Sequence, residues 1–157
     1  TKGGVGTPVY RGDHIARYAL HETKETLSED VVARADKKTT FLRQPKILSQ
    51  RIIAHVLKPY DHIILMSTLD KDGLLTVDTV ENTVLTDQKF SYEFIIGLLN
   101  SKLWSWCAYK FIFSNAIRTM DLDDYYIGKL PLPRANLSKP EDRKISDSLV
   151  GLVKKML

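Results

Sequence analysis

The stretch Phe94 to Phe111, FIIGLLNSKLWSWCAYKF, constrains this chain more than any other. It is densely apolar and reads as helix, yet it is interrupted at its middle by Asn100 and Ser101. Asn tolerates the left-handed backbone that ends one helix, and Ser is a favoured N-cap for the next. The reading is two short tandem helices, the break aiming the second in a new direction. A first helix from near Ser91 is expected to bury Phe94, Ile95, Leu98 and Leu99. The second is expected to present Leu103, Trp104, Cys107, Tyr109 and Phe111 over a broad apolar surface.

At 157 residues the chain is long enough for one domain with one core. Its 43% hydrophobic and 27% charged residues are ordinary for a folded soluble protein. No apolar run reaches the ~18 residues of a membrane span and no signal peptide opens the chain, so no membrane is expected among its partners. A single cysteine, Cys107, excludes an internal disulfide and fits a reducing, cytoplasmic compartment. Because the chain opens on Thr1 rather than Met, a piece of a larger protein is expected.

The net charge of +4 is less telling than its layout. Residues 1–60 hold 11 Lys/Arg against 6 Asp/Glu, residues 61–100 hold 2 against 7, and residues 101–157 hold 10 against 6. Two basic segments flank an acidic one, a field that suits a polyanion.

Along the chain, TKGGVGTP is a glycine-rich lead-in, and PVYRGDHIARYAL reads as short extended pieces around a turn at Gly12-Asp13. Ser28, with acidic residues behind it, is a plausible cap for a helical turn. PKILSQRIIAHVL looks like a strand without clean alternation. HIILMSTL, the turn DKDG, LLTVDT and NTVLT form hairpin-like β-branched runs. After the tandem helices comes the proline-rich KLPLP, then a final amphipathic helix from about Pro140. Ile145, Leu149, Leu152, Val153 and Met156 are expected on one of its faces. The fold class is α+β: a mixed sheet with hairpins, tandem helices around Asn100-Ser101 and a C-terminal amphipathic helix.

Catalytic constellations are scarce. GGVGTP lacks the Lys of a phosphate loop and no strand precedes it, which favours a flexible lead-in. His14, His21, His55 and His62 show no metal spacing, and Cys107 sits without partners on an apolar helix. Asp121, Asp123 and Asp124 read as a polar cap, Asp121 capping a short helix through Tyr125, with a divalent-cation hydrolase as the rival reading. Basic residues interleaved with aromatics carry more. YRGDHIARY places Arg11 and Arg17 beside tyrosines, FLRQPKILSQR places Arg43, Lys46 and Arg51 around a strand, and YKFIFSNAIRT places Lys110, Ser114, Asn115 and Arg118 past the aromatic helix. Arg and Asn are usual readers of base edges, and Lys, Ser and Thr often hold phosphates.

The order of several pieces resembles a known module. LLNSKLWSWCAYKF followed by GKLPLP at Gly128–Pro133 is similar to the C-terminal specificity domain of Taq-type adenine-specific DNA methyltransferases, a module that recurs in type IIG restriction–modification enzymes and is related to type I target recognition domains. YRGDHIARY, PKILSQRI and DGLLTVDTVENTVLT fall in the family's order, so the resemblance spans roughly Val9 to Pro133. It implies a domain over residues 1–135 that reads double-stranded DNA through loops in the major groove, with residues 136–157 as a linker or spacer helix. It implies that S-adenosylmethionine and an Asn-Pro-Pro-aromatic motif belong to a separate catalytic domain, since this chain contains no Asn-Pro-Pro. No cofactor, metal or catalytic residue is then expected here, and the chain is expected not to be an enzyme alone. Arg11, Arg17, Arg43, Lys46, Arg51, Lys110 and Arg118 form the expected pool of DNA contacts, with Ser114 and Asn115 as loop readers; Arg51 above all could instead serve an ion pair. Dimerisation through the terminal helix is a further expectation. The rival function is a protein-docking module using the Trp104/Trp106 surface and that helix.

Overall fold

The central strand, β5 (Lys46–Gln50), explains a pattern that periodicity alone could not place. In the computed structural model, which describes residues 6–35, 40–87, 89–116 and 118–157, it pairs antiparallel with β9 (Ser67–Asp70) on one side and β11 (Val80–Thr83) on the other. Lys46, Ile47, Leu48 and Ser49 are all buried, so KILS has no polar side to alternate with. Ile47 joins the larger core with Phe94, Ile96, Leu99 and Val153, whereas Leu48 packs with Ile15 and Val80 in a second cluster.

The strand expected to run on through Val56 is instead three pieces with three partners. After Arg51 come β6 (Ile52–Ile53), paired with β12 (Met120–Asp121), and β7 (His55–Val56), paired with β8 (His62–Ile63). The DKDG segment does turn the chain, with Gly73 at φ +70. The runs on either side of it do not pair with each other, however. β10 (Leu75–Thr76) lies parallel to β1 (Thr7–Tyr10), whose other neighbour is β4 (Thr26–Leu27). The reason is Asp70: its carboxylate accepts the N–H groups of Asp72, Gly73 and Leu74 at 2.9, 3.0 and 2.9 Å and folds the chain inward. A tight hairpin forms elsewhere, at β2 (Ile15–Ala16) with β3 (Ala19–Leu20), and a five-residue loop joins β7 to β8. With 36% helix and 23% strand in several small sheets, the class is α+β.

Of the glycine-rich lead-in, residues 1–5 lie outside the described residues, and Thr7 and Pro8 begin β1. Past Ser28, which stands at the N-cap position but makes no side-chain cap hydrogen bond, α1 (Glu29–Arg34) forms where the acidic first turn pointed. The first tandem helix, α2 (Tyr92–Leu99), begins at Ser91, whose Oγ accepts the Phe94 N–H at 3.2 Å. It buries Phe94, Ile95, Ile96, Gly97 and Leu99. The second, α3 (Lys102–Cys107), is capped by Ser101, which accepts the Trp104 N–H at 3.0 Å. So the break falls where Asn100 and Ser101 placed it.

Several side-chain expectations are corrected. Asn100 has φ −82 and ψ 0, not a left-handed backbone, because its amide is engaged with β9 instead. Leu103 and Phe111 are 63% and 71% exposed, while Trp104, Ala108 and Tyr109 are buried. Leu103 stands on the outer side of the regular helix Lys102–Cys107, and Phe111 is turned out by a π turn over Ala108–Ile112, closed by the Phe113 N–H to the Ala108 carbonyl at 2.8 Å, which breaks α-helical register. The short helix α4 (Asp124–Ile127) is capped by Asp123, accepting the Tyr126 N–H at 3.1 Å, not by Asp121, which lies in β12. The terminal helix α5 (Pro140–Met156) lies against α2 at Gly97, where an added Cβ would stand 2.9 Å from Leu149 and 3.0 Å from Val153. That notch draws in Leu149, Val153 and the buried Ser146, and leaves Ile145, Leu152 and Met156 exposed. None of the helices of the described residues is long and apolar enough to cross a membrane.

Candidate nucleic-acid interface

Asn100 is fully buried, and its amide stands in for a neighbouring strand. Nδ2 donates to the Ser67 carbonyl at 2.8 Å and Oδ1 accepts the Ser67 N–H at 2.9 Å. The same Ser67 carbonyl accepts the Tyr18 N–H at 3.0 Å, and the Asn100 carbonyl accepts from Arg17 Nη2 at 2.6 Å. The polar residue in the apolar stretch therefore ties the helix break, β9 and the β2–β3 turn together. It also holds Arg17, on that turn, toward the start of α3.

Between that turn, the loop before β8 and the outer side of α3 lies a groove of about 610 Å³, within the range of ligand clefts. Its lining includes Arg17, Lys102 and Lys110 with only one carboxylate, Asp61. Tyr60, His62, Trp106 and Tyr109 contribute rings. Lys102 has no hydrogen-bond or ion-pair partner among the described residues. Arg17 spends one Nη2 contact on Asn100 and keeps further donors free. Trp106 is 50% exposed, with its ring edge-to-face on Phe111 at 5.3 Å. The floor is fixed: Tyr109 stacks on His55 at 5.7 Å, and Ser105 Oγ accepts the Leu65 N–H at 3.2 Å. A groove with fixed rings and loose cations can bind anionic, planar groups.

At one end the π turn leaves through Ser114 and Asn115, two exposed residues at φ +50 and +59. The Asn115 N–H donates to the carbonyl of buried Tyr109 at 2.9 Å, and Lys110 Nζ donates to Asn115 Oδ1 at 2.8 Å while lying over the Tyr109 ring at 5.3 Å. Arg17, Lys110 and Asn115 are thus brought to one region. Ser114 lies beside Asn115 in the same loop, while Lys46, Arg51, Arg11 and Arg43 lie elsewhere. Lys46 is 0% exposed; its Nζ is paired with Asp70 and donates to the Leu42 and Leu74 carbonyls at 2.6 and 3.0 Å. It holds the sheet and is corrected out of the contact pool. Arg51 donates Nε and Nη2 to the two Asp121 oxygens at 2.6 and 3.2 Å, the ion pair left open from sequence. Arg11 faces Glu25 at 3.7 Å, Arg43 is exposed at the loop beneath Gly73, and Arg118 is exposed past Asn115.

Sequence reasoning missed Lys102, Tyr60 and His62 as groove residues and gave Trp106 only to the protein-docking reading. The available signal was the cap itself: once Ser101 starts α3, Trp104 and Trp106 cannot share a face, so one of them must point outward. Near Arg51, the Asp121 hydrogen bond raises the guanidinium's affinity for its proton above the ordinary value. Half-buried Glu81 is pushed up, first by burial and next by the charge of Asp124, with Arg51 opposing. Among the described residues no three His, Cys, Asp or Glu side chains gather as a metal site requires. Residues 7–132 match the family model of the TaqI-like C-terminal specificity domain. No curated protein matches the chain.

Proposed function

Because the chain belongs to the TaqI-like C-terminal specificity domain family, whose role is target recognition in methyltransferase and restriction enzymes, we propose that it grips duplex DNA through the groove beside α3. The observation that carries this reading is the convergence of Arg17, Lys102 and Lys110 with exposed aromatic rings in a chain of that family. In this reading Arg17 and Lys102 hold phosphates, and Lys110 with the Ser114–Asn115 loop, Arg118 behind it, approaches the base edges. Arg11 and Arg43 lie on other surfaces and add at most to the general field.

The parent enzyme is proposed to be an adenine-N6 DNA methyltransferase, alone or fused to a nuclease. Its catalytic domain, with S-adenosylmethionine, is assigned to sequence other than this chain. We keep the division of residues 1–135 as recognition domain and 136–157 as spacer helix as part of the proposal, and with it a cytoplasmic setting.

Fluorescence anisotropy with mixed-sequence duplex across a salt titration tests the grip. Affinity should fall linearly in log–log form, with a slope near −0.9 per phosphate neutralised, giving about −2 for the two phosphate-holding cations. Absence of binding at low salt, both for this chain and for the full parent enzyme, sinks the reading. A second reading rests on the exposed Leu103, Trp106 and Phe111 and on Ile145, Leu152 and Met156 of α5: docking to protein, or to a second copy through α5. Self-association or partner binding insensitive to salt, without DNA binding, would favour it.

A further inference from the structure

We infer that the Lys110–Asn115 pair reads a guanine, and this rests on the DNA reading above. A lysine ammonium only donates, so the atom facing it at 2.8 Å must be the carbonyl oxygen of the Asn115 amide. An asparagine that reads adenine has to offer that oxygen to the N6 amino group while Nδ2 donates to N7. Here the oxygen is occupied, and its second lone pair lies beside a positive charge, where an incoming amino N–H is repelled. What remains available is a set of donors: both Nδ2 hydrogens and those Lys110 hydrogens not given to Asn115. In the major groove only guanine presents two adjacent acceptors, O6 and N7; adenine presents an acceptor and a donor, cytosine a donor, and thymine a single acceptor beside a methyl group.

The pair is also held in place. Two consecutive left-handed non-glycine residues are costly and persist only where surrounding structure fixes them. Here the Asn115 N–H is tied to the carbonyl of buried Tyr109, and Lys110 is laid over the same residue's ring. The donor face is therefore set before DNA arrives, and the loop that carries it is exposed at the end of the cationic groove.

The test is site selection from a random duplex library, run with the unaltered chain, Asn115→Asp and Asn115→Gly. Aspartate keeps an oxygen for Lys110 but turns the free donor into an acceptor; glycine keeps the left-handed backbone and removes the amide. The unaltered chain should select at least one guanine that both variants lose, the other positions staying as they were. At that guanine, 7-deazaguanine, which lacks N7, should weaken binding by between about fivefold and about a hundredfold, while hypoxanthine, which keeps O6 and N7, should not. If the position that responds to Asn115 is an adenine or cytosine, or if no position responds while salt-dependent binding persists, the inference is overturned and the DNA reading stands. Loss of all DNA binding by the unaltered chain and its parent overturns both.

Discussion

Two lysines that sit in similar sequence do opposite work. Lys46 in FLRQPKILSQR and Lys110 in WCAYKFIF are both cations among apolar and aromatic residues, and both belong to the pool of DNA contacts expected from sequence. Lys46 is entirely enclosed and saturated, with Asp70 and two backbone carbonyls. Lys110 is exposed and gives one bond, to Asn115. The difference is not in the residues beside them. It comes from β5 being a central strand covered on both faces, while the π turn swings Lys110 onto the rim of the groove. A buried, fully paired cation is spent on the fold; an exposed one with donors to spare is available to a ligand.

Breaking the buried side should give the largest effect. Lys46→Met removes one partner of an enclosed ion pair and leaves the Asp70 carboxylate without its cation, a change that costs about 3–5 kcal/mol. Urea unfolding should show the loss, and whatever fraction stays folded should keep its DNA sequence preference. A midpoint unchanged from the parent chain would mean that Lys46 is not enclosed as described. Asn100→Ala comes next. It strands the buried Ser67 N–H, worth about 1–3 kcal/mol, while the main-chain carbonyl that accepts from Arg17 remains. Stability should therefore fall, by less than in Lys46→Met, with Arg17 still held at the groove.

These cases show what was legible in the sequence. The break at Asn100-Ser101 and the Ser91 and Ser101 caps follow from local chemistry, because a capping serine acts on N–H groups within its own first turn. At α1 the readable signal was the acidic first turn, Glu29 and Asp30, since Ser28 makes no side-chain cap there. What failed were questions of which neighbour arrives from far along the chain. KILS lacks alternation because two strands and two cores meet it, and nothing nearby in sequence says so. The outward turn of Phe111 needed the π turn, whose extra residue has no composition signal. Gly97 hid the true packing face of α5, since a notch is visible only when Leu149 and Val153 fill it. Of the candidate site, Arg17, Lys110 and Asn115 stand out through basic–aromatic interleaving, but their meeting place depends on Asn100 reaching Ser67.

On the open side the expected effects are smaller and of another kind. Lys102→Ala should change the unfolding free energy by no more than about 0.5 kcal/mol, because its side chain has no partner to lose among the described residues. It should weaken binding of all duplex sequences alike and reduce the salt slope by about one. A change in sequence preference instead would move Lys102 from phosphate holder to base reader, and no change at all would take DNA out of the groove.

The smallest effect tests a group between the two extremes. Glu81, on β11 opposite Ser49, is half-buried; burial and the charge of Asp124 raise its affinity for a proton above the ordinary 4.5, against the pull of Arg51. The folded chain therefore binds this proton more tightly than the unfolded chain does. Its contribution to stability is complete below 4.5 and is lost as pH rises through the raised folded value. Glu81→Gln cannot ionise, so it should track the parent chain in acid and become slightly the more stable of the two toward neutral pH. Urea midpoints across that range decide it. Parallel profiles for the two proteins would mean that Glu81 ionises as freely as an exposed carboxylate, and that the environment beside Arg51 and Asp121 is as open to water as the groove is.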